Sequence, residues 1–197
     1  MKIYDISQEL LSCAVYPGDP APRADRICSI DRGDVCNLTA LSLCAHNGTH
    51  LDAPYHFIRD GRTVEAIPLS STVGLAFVFE CEGEISGEDA AEIVETARRA
   101  SPEAARRILI KGRATVTLAA AERLAAEGVL LVGVESQTVG PEDAPMAVHK
   151  VLLGADAVLL EGVRLGEVPS GVYLLSAPPI SVAGGDGAPC RAILIEL

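Results

Sequence analysis

Three of the four histidines in the chain lie within a short segment that also contains an aspartate. The histidines are His46, His50 and His56, and the carboxylate is Asp52. Neutral imidazoles and carboxylates are ligands that both Zn²⁺ and Mn²⁺ accept. A solvent-exposed loop has no need of three imidazoles and a carboxylate in one short run. The segment therefore predicts a site for a divalent metal ion.

Two other interpretations of this segment stay open. Its histidines could be solvated loop residues, or they could belong to a structural zinc site. A structural site usually draws on cysteines, and Cys44 lies two residues before His46. A buried apolar thiol is the favoured interpretation of Cys44.

The spacing of the candidate ligands can be compared with strand geometry. His50 and Asp52 would point to the same side of a β-strand with donors about 6.6 Å apart. His46 would lie about 13 Å from His50 in a flat strand, which strains one coordination sphere. Gly48 can adopt backbone angles closed to other residues, and Pro54 cannot donate to a ladder. We therefore expect a bent segment that leads into a turn, with side chains converging on a cavity.

Two further candidates, His149 and Glu161, lie downstream. Glu161 follows the apolar residues 158–160. A carboxylate at the end of a buried strand needs a partner or a cation, because desolvating it alone costs several kcal/mol. His149 lies on a predicted helix, where a lone histidine more often has no ligand role. The residues themselves leave this pair undecided.

The elements that must position these residues alternate between helix-like and strand-like patterns, which predicts a mixed α/β fold in a single domain, residues 1–197. Ser86 and Asp89 resemble a capping box. The unbroken apolar run 129–134 is typical of a strand buried on both faces. The predicted helices are 88–100, 117–127 and 144–153. The predicted strands are 2–6, 35–45, 74–80, 108–110, 129–134, 157–161, 172–176 and 191–197.

Composition excludes several classes of partner. The chain has 16 Lys+Arg and 27 Asp+Glu, a net charge of −11, which disfavours binding to nucleic acid or to an anionic membrane surface. No apolar run reaches about 18 residues, and carboxylates interrupt the N-terminal segment, so we expect neither a membrane span nor a signal peptide. The six cysteines form no Cys-x-x-Cys pair, and we interpret them as reduced thiols of a cytoplasmic protein.

Residues 46–57 resemble the signature His-x-Gly-Thr-His-x-Asp-x-Pro-x-His of the cyclase family of metal-dependent hydrolases. His149 and Glu161 are twelve residues apart, as the second pair of ligands is in that family. Residues 5–10 and 16–19 resemble its N-terminal motif, and residues 186–192 resemble its C-terminal motif. The resemblance therefore covers nearly the whole chain.

This resemblance implies a swivelling β/β/α domain with a mixed central sheet flanked by helices, assembled as a homodimer or homotetramer. It also implies two divalent metal ions, with Zn²⁺ favoured over Mn²⁺. By position, His46 and His50 would bind the first ion and His149 the second, and Asp52 and Glu161 would contact both.

The activity that the resemblance implies is hydrolysis of a small amide. The favoured reaction is that of an arylformamidase, which converts N-formylkynurenine to kynurenine and formate by attack of a metal-bound hydroxide. His56 would be the catalytic acid/base, and Tyr16 would contact the substrate where arylformamidases carry a Trp. The alternatives are hydrolysis of a cyclic amide such as isatin, or a metal-binding family member without catalysis. Arg191 lies either near the site or in a surface ion pair.

Overall fold

The computed structural model describes residues 1–197 and confirms a mixed α/β fold. The β-strands are β1 (Ile3–Asp5), β2 (Arg23–Cys28), β3 (Leu38–Ser42), β4 (His50–Asp52), β5 (Val73–Glu80), β6 (Gly83–Ile85), β7 (Arg107–Lys111), β8 (Ala114–Val116), β9 (Leu131–Val134), β10 (Val158–Glu161), β11 (Gly171–Ser176), β12 (Gly187–Pro189) and β13 (Ile193–Ile195). The α-helices are α1 (Leu69–Thr72), α2 (Gly87–Ala100), α3 (Leu118–Ala126) and α4 (Met146–Gly154).

Nine strands form one curled mixed sheet in the order β1-β13-β11-β5-β7-β9-β10-β4-β12. Within this sheet, four adjacent strands run parallel to one another: β5, β7, β9 and β10. The pairs outside this group are antiparallel. The expected mixed central sheet is confirmed. The short strand β4 lies between β10 and β12, close to one edge of the sheet.

The parallel strands are buried on both faces, as the apolar run 129–134 predicted. On one face, Ile108 packs in a cluster with Leu124 of α3 and Leu152 of α4. On the other face, Leu109 and Leu131 pack in a second cluster. Burying such a side chain contributes about 1.5–3 kcal/mol. This double burial makes the sheet a firm support for the residues at the ends of its strands.

Helices α2, α3 and α4 begin and end close to their predicted bounds, whereas the four-residue helix α1 was not predicted. Ser86 and Asp89 form a reciprocal capping box at the start of α2, and the side chain of Thr117 caps α3. Gly128 follows α3 with a φ of +73°, a conformation that glycine adopts without steric cost. No helix in the structure combines the length and the hydropathy that crossing a bilayer requires.

Strands β2 and β3 form a separate antiparallel hairpin. The strand predicted over residues 35–45 is shorter in the structure, because residues 33–37 belong to the connection between the two strands. The sequence analysis did not predict β2. Apart from half-buried Cys28, both strands of the hairpin are exposed along their length. The hairpin therefore has no packing partner within the chain.

Candidate metal centre

The histidine-rich segment folds as a bend, a short strand and a turn. Gly48 has a φ of +69°, in the left-handed region that favours glycine. All three residues of β4 are buried. A 3₁₀ turn, Pro54–His56, follows at once and begins with the proline. The expected bend at Gly48 and the turn after Asp52 are both present.

Pairing between β4 and β10 brings the downstream carboxylate to this segment. Glu161 lies opposite His50 in the register, and opposite residues of a strand pair project to the same side. Helix α4 carries His149, whose Nε2 lies 3.1 Å from Glu161 Oε1. The backbone N–H of Val139 donates to that same oxygen at 2.8 Å. The structure thus places His149 and Glu161 beside the histidine-rich segment. Their residue types alone had left the role of this pair undecided.

In both His50 and His149, one ring nitrogen contacts a backbone carbonyl oxygen and the other faces the buried carboxylates. His50 Nδ1 contacts Gly48 O at 3.1 Å, and its Nε2 lies 3.4 Å from both Asp52 Oδ1 and Glu161 Oε2. His149 Nδ1 contacts Pro145 O at 2.9 Å, and its Nε2 lies 3.5 Å from Asp52 Oδ2. Such partners on the outer nitrogen are typical of histidines that bind metal, because they fix the ring orientation.

The third imidazole follows the same pattern with a carboxylate as the outer partner. His46 Nδ1 lies 2.8 Å from Asp52 Oδ1, and its Nε2 lies 2.9 Å from Asp186 Oδ2. The same Asp186 oxygen lies 3.2 Å from His56 Nδ1. Sequence reasoning did not select Asp186 as a site residue. Its only signal was a place in the C-terminal motif, residues 186–192.

The donor atoms form three overlapping groups that could each hold a metal ion. They are His46, His50 and Asp52; Asp52, His149 and Glu161; and His46, His56 and Asp186. Within each group the donor atoms lie within 4.8 Å of one another. The first two groups share the buried Asp52, and imidazoles with a buried carboxylate suit divalent transition metals. The chemistry of these donors therefore fits a divalent metal ion.

The electrostatics of the cluster depend on the two buried carboxylates. Burial is the largest single effect on His46 and lowers its pKa, but the hydrogen bond and charge of Asp52, together with the hydrogen bond to Asp186, outweigh burial and raise that pKa to about 8. The pKa of His50 is raised to about 10 by Asp52 and Glu161 against the same effect of burial. Burial raises the pKa of Asp52, yet hydrogen bonds from His46 and His50 hold it well below its usual range. Protonated imidazoles can thus balance the carboxylates, and divalent cations can take over that role.

A cavity of about 250 Å³ opens beside these donors. Tyr16 and His56 line it, and the Tyr16 hydroxyl donates to Glu142 O at 3.1 Å. Gln137 and Thr138, which sequence reasoning missed, also line it and each has a buried side-chain oxygen without a protein partner.

Arg191 lies in a surface ion pair rather than at the cavity. Its Nε donates to Asp5 Oδ1 at 3.0 Å, and its side chain is 76 % exposed. It is not among the residues that line the cavity. Of the two positions left open for Arg191, the structure supports the surface ion pair.

Comparison with known proteins agrees with the resemblance noted in the sequence. The family described as "Putative cyclase" matches residues 4–141. The chain belongs to the cyclase family. A relative in this family, a kynurenine formamidase from Erythrobacter litoralis (strain HTCC2594), is 33% identical over 210 residues, which cover 100% of this chain and 94% of that protein.

Solved structures show the same cyclase-family fold. A potential metal-dependent hydrolase with cyclase activity is 27% identical and has a TM-score of 0.81, with 98% of this chain and 96% of that chain covered. Isatin hydrolase A from Labrenzia aggregata is 23% identical and has a TM-score of 0.82, with 98% and 93% covered. At 23% identity, the similarity to isatin hydrolase A is one of fold alone.

Proposed function

We propose that this cyclase-family chain is a metal-dependent hydrolase of a small amide, and that its reaction converts N-formylkynurenine to kynurenine and formate. The convergence of three imidazoles and two carboxylates beside a cavity carries the proposal. The similarity to a kynurenine formamidase over the whole chain supports the choice of reaction.

The proposed metal ligands are five of the donors described above. His46 and His50 would hold one ion, His149 would hold the other, and Asp52 and Glu161 would contribute to both. Zn²⁺ is the first candidate and Mn²⁺ the second, because imidazole and carboxylate donors suit either ion. When bound, such ions polarise a carbonyl group and lower the pKa of a bound water molecule to about 7.

His56 acts as the acid/base of the reaction: it takes a proton from the attacking water molecule and passes it to the leaving nitrogen. An amine is a poor leaving group until it is protonated, and an imidazole titrates near working pH. His56 Nδ1 is engaged by Asp186, which leaves Nε2 to exchange a proton with the substrate nitrogen. The side chain lines the cavity and is 27% exposed, so a substrate can reach it.

Tyr16 contacts the aromatic part of the substrate. Its hydroxyl is tied to Glu142 O, so the ring has a fixed place at the cavity, where it can stack against an aryl group. A cavity of about 250 Å³ suits a small substrate rather than a polymer. We therefore propose a small-molecule amide as the partner, and no nucleic acid or membrane.

The enzyme is proposed to act in the cytoplasm. All six cysteines are free in the structure, and free thiols persist in reducing compartments.

A paired assay tests the reaction. Protein stripped by a chelator and reloaded with Zn²⁺ or Mn²⁺ is given N-formylkynurenine and, separately, isatin, and absorbance is followed. Turnover of N-formylkynurenine that depends on metal supports the proposal. Turnover of isatin alone would instead indicate a hydrolase of cyclic amides. Full metal loading with neither reaction would refute both and favour a metal-binding protein without catalysis.

A further inference from the structure

One oxygen of Asp186 lies between the imidazoles of a proposed metal ligand and the proposed acid. Asp186 Oδ2 is 2.9 Å from His46 Nε2 and 3.2 Å from His56 Nδ1. The two rings lie close together, with centroids 4.2 Å apart. Both contacts have hydrogen-bond length.

An ionised carboxylate only accepts hydrogen bonds, so these contacts determine where both rings carry a proton. His46 must be protonated at Nε2. Its Nδ1 lies 2.8 Å from Asp52 Oδ1, so it also carries a proton in the metal-free chain and would be the nitrogen that binds the ion in the loaded chain. His56 must be protonated at Nδ1, which leaves Nε2 for the substrate. The Nδ1–H form is the less populated neutral tautomer of free histidine, so His56 needs a specific partner to adopt it.

We propose that Asp186 is a positioning residue that fixes the tautomer and orientation of both His46 and His56. One carboxylate would then join the metal centre to the proton-transfer group. The inference rests on the proposed function for the roles of the two histidines, but the tautomers themselves can be measured without substrate.

The backbone holds Asp186 in this place. Strand β12 begins at the next residue and pairs with β4, with Gly187 opposite Asp52. The Ala53 N–H donates to Asp186 O at 2.9 Å. The carboxylate is therefore carried on the same piece of sheet as two of the proposed ligands.

Gly187 lets the two elements come this close. A Cβ at that position would lie 2.7 Å from Leu51 O and 2.8 Å from His46 Cε1. Only a residue without a side chain allows the His46 ring to lie against this backbone and reach Asp186.

A competing arrangement uses the same atoms. His46, His56 and Asp186 could themselves hold a metal ion. In that case the nitrogens that face Asp186 would bind the ion and carry no protons. The protonation of these nitrogens therefore separates the two arrangements.

Long-range ¹H–¹⁵N spectra of the imidazoles provide the test, recorded on the full chain labelled with ¹⁵N-histidine and loaded with Zn²⁺. We expect His46 protonated at Nε2 and His56 at Nδ1 in the unaltered protein. A His56 ring protonated at Nε2, or a His56 Nδ1 bound to zinc, would overturn the proposal. The same spectra of chelated protein at pH above 8 apply if zinc does not bind, an outcome that counts against the proposed function alone.

Asp186→Asn extends the test. We expect His56 to shift to the Nε2–H form and zinc affinity, measured against a competing chelator, to fall 10- to 100-fold. Asp5→Asn is the matched control. The Asp5 side chain is 46% exposed and the Asp186 side chain 45%, and both substitutions remove one negative charge. Unchanged tautomers and zinc affinity in Asp186→Asn would overturn the proposal. The spectra of the unaltered chain still decide if this variant does not fold.

Discussion

At the scale of single residues, each imidazole of the site has two nitrogens with separate tasks. His50 and His149 use Nδ1 to contact a backbone carbonyl and turn Nε2 to the carboxylates. His46 does the reverse, with Nδ1 toward Asp52. Rings held in this way need no reorientation when they bind a cation, so the protein has arranged the donors in advance.

His56→Ala separates proton transfer from metal binding. We expect the variant to retain its metal content and to lose about 10²- to 10⁴-fold in turnover, which is the usual contribution of a general acid. Elemental analysis and the absorbance assay measure the two quantities. Tyr55→Ala, at the exposed neighbouring position, is the control and should change neither. Loss of metal from His56→Ala would instead make His56 a ligand.

The stability of chelated protein should fall as pH rises. The folded chain raises the pKa of His46 from 6.5 to about 8, so it holds this proton more tightly than the unfolded chain does. The contribution of His46 is complete below about pH 6.5 and is lost as pH rises through about 8, which amounts to about 2 kcal/mol. His50, whose pKa is raised to about 10, adds a further loss of stability in the same direction. Calorimetry from pH 6 to 9 with a chelator present measures this change. A melting temperature that rises across this window would contradict the assignment.

At the scale of elements, the sequence predicted most helices and long strands because their signals are local. The capping box of α2 and the unbroken apolar run of β9 need no knowledge of distant residues. The three-residue strands β4 and β12 have no such signal, since they exist only through pairing with partners far away in the chain. The hairpin strand β2 was missed because its polar residues show no clear alternation.

The same difference between local and long-range signals applies to the candidate site. The histidine-rich segment could be found from residue types and spacing. The placement of His149 and Glu161 beside it depends on the order of strands, which no local pattern gives. Asp186 was known only as part of the C-terminal motif, residues 186–192, and its place beside the histidines depends on the pairing of β12 with β4.

Gly187→Ala tests how closely β12 must approach the site. The added Cβ would collide with Leu51 O and His46 Cε1, so we expect the His46 ring to move and zinc affinity to fall at least 10-fold. Gly166→Ala is the control, because nothing lies within 4 Å of its Cβ position. Competition against a chelator measures both variants. Equal affinities would show that the close contact is unimportant for the site.

At the scale of the whole molecule, the hairpin of β2 and β3 is the part that the single chain leaves unsupported. An isolated two-stranded hairpin is marginally stable in water, and this one exposes Ile27, Leu38 and Leu41. A partner that covers the hairpin would stabilise it. The family resemblance implies a homodimer or homotetramer, and we expect the hairpin to lie in the interface of that oligomer.

Leu41→Glu should weaken this self-association. Leu41 is 58% exposed on the hairpin, and Leu118, 44% exposed on α3, provides the control variant Leu118→Glu. We expect the unaltered chain and Leu118→Glu to sediment as the same oligomer and Leu41→Glu to dissociate at a concentration at least 10-fold higher. Analytical ultracentrifugation measures this. A monomeric unaltered chain would contradict the expectation outright.

The position of β4 in the sheet also has a kinetic consequence. Its two neighbours, β10 and β12, begin at residues 158 and 187, more than 100 residues after it ends at residue 52. Closing such long loops costs entropy before the pairing can repay it, which slows folding. We therefore expect the donors to meet only after the rate-limiting step, so that ion capture follows folding rather than nucleating it. In stopped-flow experiments, zinc should slow the unfolding reaction and leave the refolding rate nearly unchanged.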